Sequence, residues 1–177
     1  MKKCIAALLA FSIIFVLSAC DAQETPPSGS TPSASFATVD TDTEWAVYWY
    51  LCGSDLESNY GAATNDLAEM MAVQLPENVK IVIQTGGASA WQNDVVSSAA
   101  LQRFVYDQNG LNLVEELPSA NMGDDQTLKD FLAFAKDNYP AKHTAVTLWN
   151  HGGGSVAGAA FDEIYQMDSL SLAEMYQ

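Results

Sequence analysis

From Glu44 onward, apolar residues come in short unbroken runs separated by segments of helical periodicity. Trp45–Cys52 (W-A-V-Y-W-Y-L-C) is almost wholly apolar and rich in aromatic side chains. Such a run predicts a strand buried on both faces, central in a mostly parallel sheet. Gly53-Ser54-Asp55 breaks it. Residues 65–73 follow, with Leu67, Met70, Met71 and Ala72 on one helical stripe and Pro76 closing the unit. Residues 79–84 (V-K-I-V-I-Q) predict a second strand, stopped by Gly86-Gly87. Strand, helix and strand in succession form a βαβ unit with a right-handed crossover.

Residues 88–98 are polar apart from Trp91, Val95 and Val96, and predict a loop. Two β-prone runs, 101–106 and 111–117, flank Asp107-Gln108-Asn109-Gly110. That pattern predicts a hairpin, expected beside or over the main sheet rather than within it. Leu128, Phe131, Leu132 and Ala135 mark the buried face of a helix over 126–138. Asp124 or Asp125 can cap it, and Tyr139-Pro140 ends it. Residues 144–149 give a third strand closing a second crossover. Asp162-Glu163 falls in a loop, read as a solvated turn rather than as ion ligands, and a further helix is expected over 170–176. Alternating strands and helices predict an α/β sandwich with a parallel sheet and one hairpin insertion.

The first 43 residues follow another pattern. Lys2 and Lys3 precede an apolar run over 4–19 that is interrupted only by Ser12 and Ser18. That is a signal-type segment over 1–20, too short for a comfortable membrane span. It ends in Leu17-Ser18-Ala19-Cys20, which resembles the lipobox of bacterial lipoproteins. The resemblance implies cleavage before Cys20 and attachment of lipid to its thiol. Residues 21–43 are Ser, Thr, Pro, Ala, Gly and acids, with Phe36 and Val39 the only sizeable apolar side chains. Too little surface can be buried there to offset ordering entropy, so a flexible tether is expected. The body, 44–177, would then be held to the bacterial cytoplasmic membrane by lipid and face outward into the cell envelope.

Charge and cysteine content narrow the chemistry. Removing Lys2 and Lys3 with the leader leaves 5 basic against 22 acidic residues, a net of −17. Nucleic acid is excluded as a partner, since phosphate binding needs a basic face. Basic substrates, cations or simple solubility fit equally. With Cys4 in the leader and Cys20 lipidated, Cys52 alone remains, so the body makes no internal disulfide.

Three segments converge on the carboxyl edge of the predicted sheet: 52–57, 84–87 and 150–154. His151 leads the last of them, directly after a strand and before Gly152, Gly153 and Gly154. Active sites of parallel sheets lie at that edge. Cys52 and His151 could pair as nucleophile and base, yet a cysteine ending a buried strand more often simply packs. No metal is predicted, because Cys52, His143 and His151 lack ligand spacing and His143 enters the strand that His151 leaves. An H-G-G-G loop also donates oxyanion N–H groups in some α/β-hydrolases, but no downstream G-x-S-x-G exists here.

Four blocks in order carry a more specific resemblance. They are V-Y-W-Y-L-C-G-S-D-L-E-S with D-L-A-E-M after it, N-M-G-D-D-Q-T-L-K-D-F, Y-P-A-K-H-T-A-V-T-L-W-N-H-G-G-G, and F-D-E with L-S-L-A-E-M. Together they resemble the clostripain family of cysteine peptidases, in the caspase-like clan with gingipains and legumains. The resemblance implies a caspase-like α/β/α sandwich and cleavage of protein or peptide substrates after Arg or Lys. It makes His151 the catalytic histidine and places backbone N–H groups near Gly152 at the oxyanion. Calcium use and internal activating cleavage occur in some members. The family nucleophile lies on the next strand, in an Asp-Ala-Cys type motif, and no cysteine follows Cys52 here. The chain therefore reads as the amino-terminal part of the peptidase domain, inactive alone and missing its carboxyl-terminal part. The alternative is a non-catalytic, peptidase-like surface lipoprotein that binds peptides or partners.

Overall fold

A computed structural model describes residues 41–176. The predicted leader, Cys20 and most of the segment predicted as a tether lie outside the described residues. Thr41 and Thr43, at the end of that segment, already pack on the body. The Thr41 hydroxyl donates to Pro140 O at 3.2 Å, and Lys142 N–H donates to Thr43 O at 3.1 Å. No helix among the described residues is long and apolar enough to cross a membrane.

Five strands form the main sheet: β1 (Trp45–Cys52), β2 (Val79–Gly86), β3 (Ala100–Asp107), β4 (Gly110–Pro118) and β5 (His143–Trp149). Their order is β4-β3-β2-β1-β5. β1 is an interior strand beside the edge strand β5 and pairs in parallel with both β2 and β5, as its unbroken apolar run predicts. Alternate residues of β1 feed two cores. Ala46, Tyr48, Tyr50 and Cys52 face one layer, where Leu128, Phe131 and Ala135 of α3 (Asp125–Asn138) pack. Leu51 and half-buried Trp49 face the other, with Ala63 and Leu67 of α2 (Ala62–Met71). One helical layer on each face makes an α/β/α sandwich, the architecture expected of a period-2 strand buried on both sides.

The hairpin corrects its predicted placement. β3 pairs antiparallel with β2 and β4 with β3, so the hairpin extends the main sheet rather than lying over it. β3 is buried through its six central residues, since both faces are covered, whereas β4 is a largely exposed edge. Arg103 locks this extension in place. Its guanidinium donates to Gln84 Oε1 and Glu115 Oε2 at 2.8 and 2.7 Å and lies over the Phe134 ring.

Two further differences lie near the carboxyl edge. The break expected after β1 is a helix, α1 (Ser54–Tyr60), followed through Gly61 in left-handed conformation by α2. α1 buries Ser54 and Glu57 rather than an apolar stripe, so it carries no hydrophobic period. The Glu57 carboxylate accepts from Thr64 N and Thr64 Oγ1 (2.8 and 2.5 Å) and from Gln92 N at 2.7 Å. It thereby ties both helices to the 88–98 loop. After β5 comes a short turn of helix, α4 (Gly154–Ala157), then a two-stranded ribbon of β6 (Ala159–Asp162) and β7 (Asp168–Leu170). Leu170 closes β7, and the last helix, α5 (Leu172–Met175), starts from a capping box of Ser171 and Glu174.

Candidate active site

Parallel pairing brings the ends of β1, β2 and β5 to one edge, with Cys52 opposite Gly86 and Leu51 opposite Trp149. The three segments expected to converge there do so. Gly53 N–H donates to Gly86 O at 2.8 Å, and Ser54 N–H donates to Gly87 O at 3.1 Å. Within the third segment, Asn150 ties in a fourth element, β6, that the sequence did not predict. Its Nδ2 donates to Cys52 O at 2.7 Å, while its Oδ1 accepts from Phe161 N at 2.9 Å. One side-chain amide thus joins β1 and the end of β5 to β6, and pins the backbone one residue before His151.

His151 emerges from that clamp with its imidazole partly open to solvent. Nε2 lies 2.8 Å from Oδ1 of Asp55, in the first turn of α1. Phe161 meets the imidazole edge-on, with ring centroids 6.4 Å apart. The hydrogen bond from His151 is the main reason the Asp55 carboxyl sits below the ordinary carboxylate range. The Ser54 hydroxyl donates to the same carboxylate oxygen at 3.2 Å. His143 lies at the other end of β5, stacked on Trp45 with ring centroids 4.8 Å apart.

Cys52 has the opposite environment. It is fully buried, and its Sγ lies 3.4 Å from Phe161 O as a donor. Burial pushes its thiol well up, and the nearby Asp162 and Glu163 carboxylates push it further. A thiol held protonated out of solvent is neither nucleophile nor ligand. Iodoacetamide is therefore expected to leave Cys52 unmodified in the folded protein and to alkylate it only in denaturing urea, a contrast that peptide mass spectrometry reads directly.

The glycine loop is shaped by backbone contacts. Gly152 bridges Ala159 and is exposed, with open space where a Cβ would stand. Gly153 N–H is committed to Gly158 O at 2.7 Å. Gly158 has φ +76°, and a Cβ there would lie 1.9 Å from Leu170 O, so only glycine fits.

Asp162 corrects another expectation. It is no solvated turn residue but a fully buried carboxylate at the end of β6. Oδ2 accepts from Met122 N at 2.8 Å, and Oδ1 accepts from Ile164 N and Tyr165 N at 2.9 and 3.3 Å. Glu163 turns instead to Ser58 Oγ and to Ser89 N, the latter at 2.6 Å. Calcium does not fit this segment. Both Asp162 oxygens are occupied by backbone donors, and no group of three or more metal-ligating side chains occurs among the described residues.

Residues 49–177 match the sequence model of the clostripain family. The chain belongs to the clostripain family. No curated protein sequence matches it. Several solved structures resemble this clostripain-family chain in fold, among them two cysteine proteases. One is a secreted C11 cysteine protease from Bacteroides thetaiotaomicron in complex with an irreversible peptide inhibitor. Identity is 17% and the TM-score 0.58, over 75% of this chain and 38% of that one. The other is a B. fragilis cysteine protease, also at 17% identity with a TM-score of 0.51, over 64% of this chain and 92% of that one. The chain thus spans little more than a third of the first relative.

Proposed function

We propose that this chain is the histidine-bearing part of a lipid-anchored cysteine endopeptidase that cleaves proteins and peptides after Arg or Lys. The observation that carries the reading is His151. In a clostripain-family chain, it stands at the carboxyl end of β5, clamped by Asn150 and open to an incoming substrate. The buried, protonated Cys52 is unsuited to attack, so the nucleophile is a cysteine on a strand beyond β5 in the complete polypeptide.

In that polypeptide the cysteine thiolate adds to the scissile carbonyl carbon, and the carbonyl oxygen takes the negative charge. Gly152 N–H, next to the histidine on the open side of the loop, donates to this oxyanion. The His151 imidazolium protonates the departing amine as the acyl–sulfur bond persists. Water then attacks the thioester, giving a proton to His151 and releasing the acid and the thiolate. The acidic balance of the mature chain favours cationic residues in the substrate.

Peptidyl amides differing only in the residue before the scissile bond test this reading on the complete polypeptide. Arg and Lys are expected to exceed Ala and Leu by about 100-fold or more in kcat/KM, the margin a site built for a charged group can supply. Comparable turnover of neutral residues would remove the specificity. Binding of such peptides without cleavage would favour the non-catalytic lipoprotein. The anchor is tested separately. Cys20→Ala is expected to abolish incorporation of labelled fatty acid and to release the protein from membranes; retained label would overturn it.

A further inference from the structure

We propose that Asp55 is a positioning residue that holds His151 in a single tautomer, with the proton on Nε2 and Nδ1 turned to the reacting atoms. The proposal rests on the reading of His151 as catalytic and adds a second side chain to that site.

An ionised carboxylate only accepts hydrogen bonds. Asp55 Oδ1 lies 2.8 Å from His151 Nε2, so Nε2 must carry a proton to make that contact. Neutral imidazole has one N–H, which leaves Nδ1 as the free base. Nδ1 is then the atom that takes the thiol's proton and later delivers it to the leaving amine.

The surroundings show how the arrangement is held. Ser54, fully buried and with φ +51°, turns the chain sharply from β1 into α1. Its N–H is fixed on Gly87 O, and its hydroxyl donates to the Asp55 oxygen that faces His151. The carboxylate is therefore oriented from β1 and β2. His151 is oriented from β5 and β6, through Asn150 behind it and the Phe161 edge beside it. Asp55 and His151 are 96 residues apart in sequence and meet only because β1 and β5 are parallel neighbours. The pair sits at the mouth of the site, with Asp55 partly exposed, so its effect should be smaller than that of a buried triad carboxylate.

The test uses the complete polypeptide labelled with ¹⁵N-histidine, with His151→Gln identifying the resonances. In the wild type, long-range imidazole spectra should show the Nε2–H tautomer. Asp55→Asn and Asp55→Ala should spread the population over both tautomers and lower kcat about 10–100-fold with KM little changed, and Asp55→Glu should restore part of both. A wild-type Nδ1–H tautomer, or spectra identical in wild type and Asp55→Asn, would overturn the proposal. So would an altered tautomer with undiminished kcat. Full activity in His151→Ala would instead overturn the underlying catalytic assignment, and the spectra would still decide what Asp55 does to the ring.

Discussion

Replacing His151 with alanine in the complete polypeptide is expected to lower kcat/KM for an arginyl or lysyl ester about 10³–10⁴-fold, nearly all of it in kcat. That is about 4–5.5 kcal/mol of transition-state stabilisation. The loss has two parts. The nucleophile loses the base that draws off its proton, and the leaving group loses its acid. An amide should suffer more than an ester, because an amine leaves only when protonated. Binding should change little, since the imidazole is partly open to solvent and its one polar side-chain partner among the described residues is Asp55. Folding should change little for the same reason. An exposed carboxylate–imidazole contact contributes about 0–1 kcal/mol when the ring is charged, less when it is neutral, and screening keeps it at the low end. Because pairing lowers the Asp55 carboxyl, that contribution is present above the ordinary carboxylate range and disappears as pH falls through the lowered value. Melting temperature of the wild type and the variant, measured beside the kinetics at neutral pH, separates lost chemistry from lost fold. Activity retained within about tenfold would end the role assigned to His151.

The parts of this site that could be read from sequence are those with a period or a punctuation mark. β1 announces itself because a strand buried on both faces reads as a near-continuous apolar run, and β2 through the apolar Ile81–Ile83 at its middle. α3 shows the four spaced apolar residues of a helix with one buried face. His151 stands out as a candidate because a strand, a histidine and three glycines fall in immediate succession. The misses share a cause. α1 is buried through Ser54 and Glu57, and polar burial satisfied by hydrogen bonds leaves no hydrophobic signal. Asp162 failed the same way, since an acid beside a glutamate looks solvated until Met122, 40 residues earlier in the chain, is found pointing its N–H at it. The hairpin went astray for a different reason. Two β-prone runs joined by a turn give a pairing between themselves, and nothing local says which edge of which sheet they join. That choice was made by Ile81–Thr85 across from Gln102–Tyr106, a contact between segments separated by a loop.

Asp162→Ala should be the most damaging single change to the fold near the site, costing about 3–5 kcal/mol by urea unfolding of the complete polypeptide. Three backbone N–H groups would lose their acceptor: that of Met122 is buried, and left unpaired costs about 1–3 kcal/mol, while those of Ile164 and Tyr165 are nearer solvent and cost less each. Against the roughly 5–15 kcal/mol that stabilises a typical domain, that is a large share. Asp162→Asn should cost less, about 2 kcal/mol, because one carbonyl oxygen can still accept on one side. Its amide nitrogen would oppose a backbone donor on the other. The effect carries a pH signature whose sign follows from the carboxyl's environment. Burial raises the Asp162 carboxyl above its ordinary value despite the three donors. The stabilisation it provides is therefore fullest below the unfolded-state value and declines as pH rises through the folded one. The gap between wild type and Asp162→Ala should thus narrow from about pH 4 toward neutrality, and a gap that widens over that interval would contradict the assigned environment. The consequence reaches the chemistry through the chain itself. Asp162 follows Phe161, whose N–H holds the Asn150 amide and whose ring edges His151. A loosened β6 should therefore lower kcat well before the protein unfolds, and suppressing the defect by lowering the temperature should recover activity and structure together.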